Sequence, residues 1–410
     1  MYKLLSFLGT TRYEKAYYNY DNIKSKRPYQ FVQEALLEFF HEKLKNGQVI
    51  VFLTEKSKKK NWLGKSESKN ANFKNGLKNR LSDVKRELKV NLEVKEVKIS
   101  EGRSERELWD IFEKMNEIID KKDTIILDIT HSFRSLPLLT LIVLNYVKFL
   151  KGVKIERIVY GAMEALGSPE EIKNMPLEER EIPLFDLTPF ARLFDWTVAI
   201  ERFLETGSAE MIKRVGIEEL KPLLAETRGK KGGKIRNLIN LLDKFSENVS
   251  TCRAPEFKEN IRNILETIPD AEKELEKLKP FKPLFTKIKE RFSMKVEDDV
   301  TSGLKTASWC LEKGLIQQGF TILRETIINY IIKNFLNSND LKSESNREKA
   351  EKMLNTSPEK VPKEILDLWN GIRDYRNDIN HAGWRETNYH RSDKFKKKLK
   401  EFIKMANDVL

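Results

Sequence analysis

The sequence predicts an α/β N-terminal domain of Rossmann-like type, with a parallel sheet covered by helices, followed by an all-α remainder. Three observations predict it. Short apolar runs rich in β-branched residues alternate with longer segments of helical period from residue 3 to about 160, the order that builds βαβ units. Two of those runs, 49–53 and 124–129, are apolar throughout, as in strands buried on both faces, while 91–99 alternates. Beyond residue 190 such runs cease, and helical periodicity broken by short polar turns takes over.

In chain order, residues 3–8 read as a strand that breaks at Gly9-Thr10-Thr11-Arg12, where backbone N–H groups and hydroxyls are available to a phosphate. No GxGxxG is present, so a dinucleotide fingerprint is absent. Residues 28–45 place Phe31, Ala35, Phe39 and Leu44 at helical intervals and stop at Asn46-Gly47; residues 49–53 form the next strand. The Lys/Asn/Ser-rich stretch 55–78, with Trp62 isolated in it, reads as a surface insertion. Strands are expected at 91–99, 124–129 and 154–160, the last running into Gly161-Ala162-Met163-Glu164, and helices at 105–119 and 136–150.

The stretch 124–150 organises this half. Between its strand and its helix lie Asp128, Thr130, His131, Ser132 and Arg134. In an open α/β sheet, ligands bind outside the carboxyl ends of strands, facing the free N–H groups of the next helix. A helix N-terminus with an arginine beside it favours an anion. A threonine or serine there is equally a plain helix cap, but a cap does not account for a histidine and an arginine in the same turn. Both polar turns, 9–12 and 128–134, follow strands and should share one edge of the sheet.

Composition bounds the rest. A chain of 410 residues has room for two or three domains, expected at 1–189, 190–300 and 301–410. The charged fraction is 34% and the formal net charge +13, which suits a polyanionic partner such as RNA, although a solvated Lys/Glu surface also produces such counts. Cys252 and Cys310 have no metal spacing and read as buried thiols in a reducing cytoplasm. No apolar run is long enough for a signal peptide or a membrane span, so a cytoplasmic protein is expected.

The region 190–300 reads as a helical connector, with breaks at 229–233 and 279–283 and a basic cluster at 228–236 best taken as a solvated turn. In the last third, residues 307–335 read as one long helix interrupted at Gly314, with Trp309, Phe320 and Leu323 toward the core, and 362–379 as the next. The sequence GIRDYRNDINHAGW, 371–384, contains Arg376, Asn377 and His381. Positions five apart on a continuous helix point about 140° away from each other. The pair therefore converges only if the helix ends between them or a second chain supplies a partner; Gly383 marks such an end. A histidine able to move a proton near neutral pH, with an arginine to neutralise a pentacoordinate phosphoryl group, suits RNA cleavage by its own 2′-hydroxyl. That chemistry requires no metal, and no metal-ligand cluster is legible. One histidine cannot be acid and base at once, so a dimer is expected. Arg385 and His390 repeat the spacing without the flanking asparagine and helix-stop glycine, and substitution of His390 is expected to be nearly silent.

The RN-x3-H stretch resembles the HEPN ribonucleases, metal-independent enzymes that act as dimers. The D-x-T-H-x-x-R turn on a Rossmann-like sheet resembles the CARF sensor domains of CRISPR systems. Together they resemble the ancillary ribonucleases of type III CRISPR immunity, antiviral effectors switched on by cyclic oligoadenylate. The resemblance implies Arg376 and His381 as catalytic and Asn377 as supporting. It implies Gly9, Thr10, Thr11, Arg12, Asp128, Thr130, His131, Ser132 and Arg134 as binding the activator, cyclic tetra-adenylate being the expected ring. It implies single-stranded RNA as substrate, a homodimer, and no metal or other cofactor. Ser132 stands where the family often has glycine, and residues 190–300 are unmatched. Two other readings stay open: a sensor with an inactive effector, and a CARF domain that degrades its own ligand.

Overall fold

Residues 1–64, 75–131, 136–226, 232–274, 282–292, 298–356, 358–387 and 389–410 are described by the computed structural model. They form two units, Met1–Ala191 and Arg192–Leu410.

The first unit runs β1 (Tyr2–Leu8), β2 (Tyr17–Tyr20), β3 (Ile23–Lys24), α1 (Val32–Leu44), β4 (Gln48–Leu53), α2 (Glu55–Ser57), a π-helical turn (Lys58–Trp62), α3 (Leu77–Glu87), β5 (Glu93–Lys98), α4 (Glu105–Ile118), β6 (Thr124–Asp128), α5 (Leu136–Lys151), β7 (Lys154–Gly161), α6 (Pro169–Asn174) and β8 (Glu181–Asp186). The eight strands form one sheet in the order β3-β2-β8-β7-β6-β1-β4-β5. Its five central and outer strands β7-β6-β1-β4-β5 are parallel, as expected. Side chains alternate across it. Leu4 and Leu8 of β1 pack with Val32, Leu36 and Leu81 on one face, and Leu5 and Phe7 with Ile111, Val143 and Val147 on the other. Each such fully buried side chain contributes about 1.5–3 kcal/mol.

Three strands differ from the sequence expectation. β8 pairs antiparallel with β7 and parallel with β2, and β3 closes the edge antiparallel to β2. These runs are short and polar, and Pro183 lies inside β8, where its carbonyl accepts from the Ala162 N–H at 3.0 Å. Trp62 is also corrected. It is 1% exposed and packs into the α1/α3 core, so residues 55–64 belong to the fold; residues 65–74 of that stretch lie outside the described residues.

The second unit is all-helical: α7 (Thr188–Thr206), within whose length the division falls, then α8 (Glu210–Glu226), α9 (Gly233–Ser250), α10 (Phe257–Glu274), α11 (Lys282–Phe292), α12 (Asp299–Glu312), α13 (Ile316–Asn334), α14 (Glu344–Thr356), α15 (Lys363–Asn380) and α16 (Ser392–Val409). One apolar core runs from Trp196 to Ala406, and residue 300 does not interrupt it: Trp309 packs on Phe203, Phe245 and Phe292 at centroid distances of 5.9, 5.6 and 5.3 Å. The single helix expected over 307–335 is two, α12 and α13, broken at Gly314 and folded back as an antiparallel hairpin. Their backbones approach at Gly303, where a Cβ would lie 2.1 Å from Thr326 Oγ1. Most of the 229–233 and 279–283 breaks lies outside the described residues. Cys252 is half-buried and Cys310 buried, both free thiols.

Candidate functional site

In the first unit, β1 connects through α1 to β4 on one side, while the later strands β6 and β7 return to its other side. The switch point therefore falls between β1 and β6, the place where an open α/β sheet leaves a crevice for ligands. Leu5 pairs with Leu127, so the turns after Leu8 and Asp128 emerge side by side. A Cβ built at Gly9 would stand 2.7 Å from Tyr13 Oη and 3.6 Å from the His131 carbonyl oxygen, so the two turns are in van der Waals reach of each other and a side chain at Gly9 would displace the Tyr13 hydroxyl.

The groups in this crevice divide into those that face it and those that hold it. Thr10 is half-buried, Thr11 and Arg12 are exposed, and Arg12 Nε lies 3.0 Å from Glu14. The Gly9 N–H is already used: it donates to Tyr13 Oη at 3.0 Å. Burial pushes the Tyr13 hydroxyl up to about 12, so it is a neutral hydrogen-bonding group near neutral pH. Its ring lies 4.3 Å from that of His131. His131 as a residue is partly exposed, but its Nε2 is sealed from solvent with no hydrogen-bond partner. Burial holds the imidazole down to about 4, so His131 is neutral and contributes shape and a ring nitrogen rather than charge.

Asp128 lies beneath the crevice. It is fully buried, accepts from Ser6 Oγ at 2.5 Å and from the Thr130 N–H at 2.9 Å, and burial raises its pKa against those hydrogen bonds. Gln33 extends this chain, donating to Ser6 Oγ at 2.8 Å and to the Phe7 carbonyl at 3.1 Å. Thr130 Oγ1 accepts from the Gly161 N–H at 2.8 Å, tying the turn to the end of β7. Ser132 and Arg134 lie outside the described residues.

Sequence reasoning missed Asn61. Its amide nitrogen donates to the carbonyls of Gly9 (2.8 Å) and Thr11 (2.9 Å), latching the first turn from the π-helical turn after β4. No local signal marks it, because its partners are 50 and 52 residues away.

In the second unit, α15 ends at Asn380, and His381 is its C-cap at φ −86° and ψ 8°. The helix thus stops between Arg376 and His381. Ala382 and Gly383 follow at φ 53° and 75°, and the Gly383 N–H donates back to Asp378 O at 3.1 Å. Arg376 is half-buried and braced on its own helix. Asn380, with its amide oxygen turned toward the guanidinium, accepts from Nε at 2.9 Å, and Asn377 Oδ1 accepts from Nη1 at 3.4 Å. His381 is exposed, and among the described residues its ring makes no bond.

The look-alike pair is used otherwise. Arg385 Nη1 lies 3.0 Å from Asp374 Oδ1, and His390 Nε2 lies 2.8 Å from Asp374 Oδ2. The His390 ring stacks on Tyr375 at 3.8 Å and 7°, and the His390 backbone N–H donates to Asp378 Oδ2 at 2.7 Å. Partial burial works against ionisation of Asp374, but His390 and Arg385 hold its carboxyl below the usual range. His390 thus has a structural role that its spacing did not indicate: it fastens the loop after His381 to α15.

Among the described residues no group of three or more His, Cys, Asp or Glu side chains could hold a metal, and no helix is long and apolar enough to cross a membrane.

A crevice at the switch point of a Rossmann-like sheet, followed by a helical unit, defines a protein with a nucleotide-type ligand domain joined to an all-α partner. Residues 3–164 match the family model described as the CARF domain of the CRISPR system endoribonuclease Csx1, and residues 192–299 that of the second domain of CRISPR-associated protein MJ1674. The CRISPR-associated protein MJ1674 of Methanocaldococcus jannaschii is 29% identical over 188 residues, covering 44% of this chain and 27% of that relative. The first unit is accordingly a CARF-type α/β domain, and the chain is a CARF-containing protein related to CRISPR-associated proteins.

Proposed function

We propose that this chain is an ancillary ribonuclease of CRISPR immunity, active as a homodimer and switched on by cyclic oligoadenylate, with cyclic tetra-adenylate the expected ring. The ligand lies at the crevice built by Gly9 to Arg12, Thr130 and His131, with Asp128, Gln33 and Asn61 holding those turns in place. Single-stranded RNA is cleaved in the helical unit. The RNA 2′-oxygen attacks its own phosphate as the bond from phosphorus to the 5′-oxygen breaks, His381 takes the 2′-hydroxyl proton, a proton is supplied to the leaving 5′-oxygen, and Arg376 neutralises the charge that builds on the phosphoryl oxygens. The second copy's His381 serves the opposite role.

One observation carries the reading. Of the four histidines, His41 bonds the Glu38 carbonyl, His131 is sealed and neutral, and His390 is held by Asp374. His381 alone is exposed with a free ring among the described residues, one turn from a braced arginine. The endoribonuclease named in the family model matched by residues 3–164 supports it further. Dimerisation is supported by an apolar face on α5, where Leu138, Ile142, Tyr146 and Phe149 are exposed at helical spacing, Phe149 by 88%.

The test is incubation of the purified chain with labelled RNA and cyclic oligoadenylates of several ring sizes, in chelator. The expected result is ligand-dependent cleavage to 2′,3′-cyclic phosphate ends, unaffected by EDTA, with DNA uncut. His381→Ala should abolish cleavage and leave ligand affinity unchanged. Undiminished cleavage by that variant, or cleavage of DNA, places the chemistry elsewhere.

A further inference from the structure

The segment that follows His381 presents aromatic rings to solvent. Trp384 is 90% exposed and Tyr389 64%, and neither ring packs on another among the described residues. A single exposed ring is unremarkable, but two exposed aromatic rings on one short segment form an apolar surface of the kind that marks a binding site. The described residues of this segment are tied to α15. Arg385 and His390 are both fastened to Asp374, His390 is also bonded to Asp378, and the Trp384 N–H donates to the His381 carbonyl at 2.9 Å. The rings are thus held out beside His381 by groups that face the other way.

The loop leads directly into α16, whose exposed surface is predominantly basic. Phe395, Leu399, Phe402, Ile403 and Ala406 form its inner stripe. Opposite them, by the helical period, stand Lys394, Lys397, Lys400 and Lys404, all exposed and without an ion pair among the described residues. Two of the helix's three acidic residues are engaged with other cations, Asp393 with Arg391 at 3.2 Å and Glu401 with Lys398 at 2.7 Å, and the third, Asp408, lies one turn beyond the last of the four lysines. Lys394 to Lys404 extends about 15 Å along the axis.

We propose that this loop and helix form a cradle for single-stranded RNA, in which Trp384 and Tyr389 stack bases and the four lysines follow the phosphates. The inference rests on the ribonuclease reading and adds to it the surface that holds the substrate. Single-stranded nucleic acid is the ligand that presents flat apolar rings and a line of negative charge together. A second copy of the chain would cover the rings but leave the lysines unanswered.

The test measures binding of fluorescein-labelled poly-U and poly-A oligonucleotides to the full-length His381→Ala chain, with saturating cyclic tetra-adenylate. Adding Trp384→Ala should weaken binding roughly ten-fold with little change in salt dependence, and Trp384→Phe should restore most of it. Lys397→Ala with Lys400→Ala should instead flatten the dependence of log K on log salt by about 0.7 per lysine. In the His381-intact chain, Trp384→Ala should raise KM more than it lowers kcat. Affinity unchanged in Trp384→Ala overturns the cradle, as does dissociation of a wild-type dimer by the same substitution, which would assign the rings to self-association. Trp384-dependent binding by a chain that cleaves nothing supports the cradle and rejects the ribonuclease reading. Cleavage with Trp384-independent binding does the reverse.

Discussion

Four histidines in one chain end in four different chemical situations, and the neighbours decide each. His390 has two bonds and a stacking partner. His390→Ala should therefore cost about 1–3 kcal/mol of stability, since it removes the ring's bond to the partly buried Asp374 carboxylate, which keeps only Arg385, and the stacking on Tyr375; denaturant unfolding of the full chain measures it. His131 makes a pH prediction whose sign follows from its depressed pKa. Between the unfolded value near 6.5 and the folded value of about 4, the unfolded chain binds the extra proton. Stability contributed by neutral His131 is present above that window and lost as pH falls through it. Thermal unfolding from pH 7 to pH 4 should show a steeper acid-side loss in the wild type than in His131→Gln. Equal slopes would mean that the ring is open to water in the folded chain.

At the scale of elements, the closest approach in the helical unit is that of α12 to α13. Gly303 faces Thr326, a β-branched side chain that is 2% exposed and bonded to the Ile322 carbonyl, so neither side has room to yield. Gly303→Ala should destabilise the unit by about 1–3 kcal/mol despite the better helix propensity of alanine. A stabilised variant in calorimetry would show that the hairpin can open without loss. The π-helical turn at Lys58–Trp62 has a comparable role in the first unit. It buries Trp62 and in doing so aims the Asn61 amide at two carbonyls of the Gly9 turn. A π-helical turn beside a ligand crevice is a common use of that irregularity.

For the whole molecule, the proposed activation needs a ligand that binds the active arrangement more tightly than the inactive one. Bound ligand should also raise the unfolding temperature, by the equivalent of about 2.7 kcal/mol at a concentration of 100 Kd. Self-association is testable separately. Ile142→Asp with Phe149→Asp places charge on the exposed face of α5, and light scattering should then report a monomer where the wild type is a dimer. A dimer that survives both charges would move the interface away from α5.

The strands β1, β4, β5, β6 and β7 and the helices α1, α4 and α5 were legible in the sequence because their signals are local; α3, between β4 and β5, was not. A run such as TIILD is apolar whatever surrounds it, and a helix of period 3.6 shows its buried face on its own. The helix end between Arg376 and His381 was legible for the same reason, from Gly383. What only the tertiary structure decided involves partners far apart in the chain. YYNY became a strand because β8 lies beside it, and Trp62 became core because α1 and α3 enclose it. Asn61 found Gly9, Gln33 found Ser6, and Asp374 took up His390, each through hydrogen bonds between residues at least sixteen positions apart. The two Arg–x4–His pairs are alike in sequence. They differ because a carboxylate on the preceding turn of α15 holds one histidine and leaves the ring of the other open to solvent.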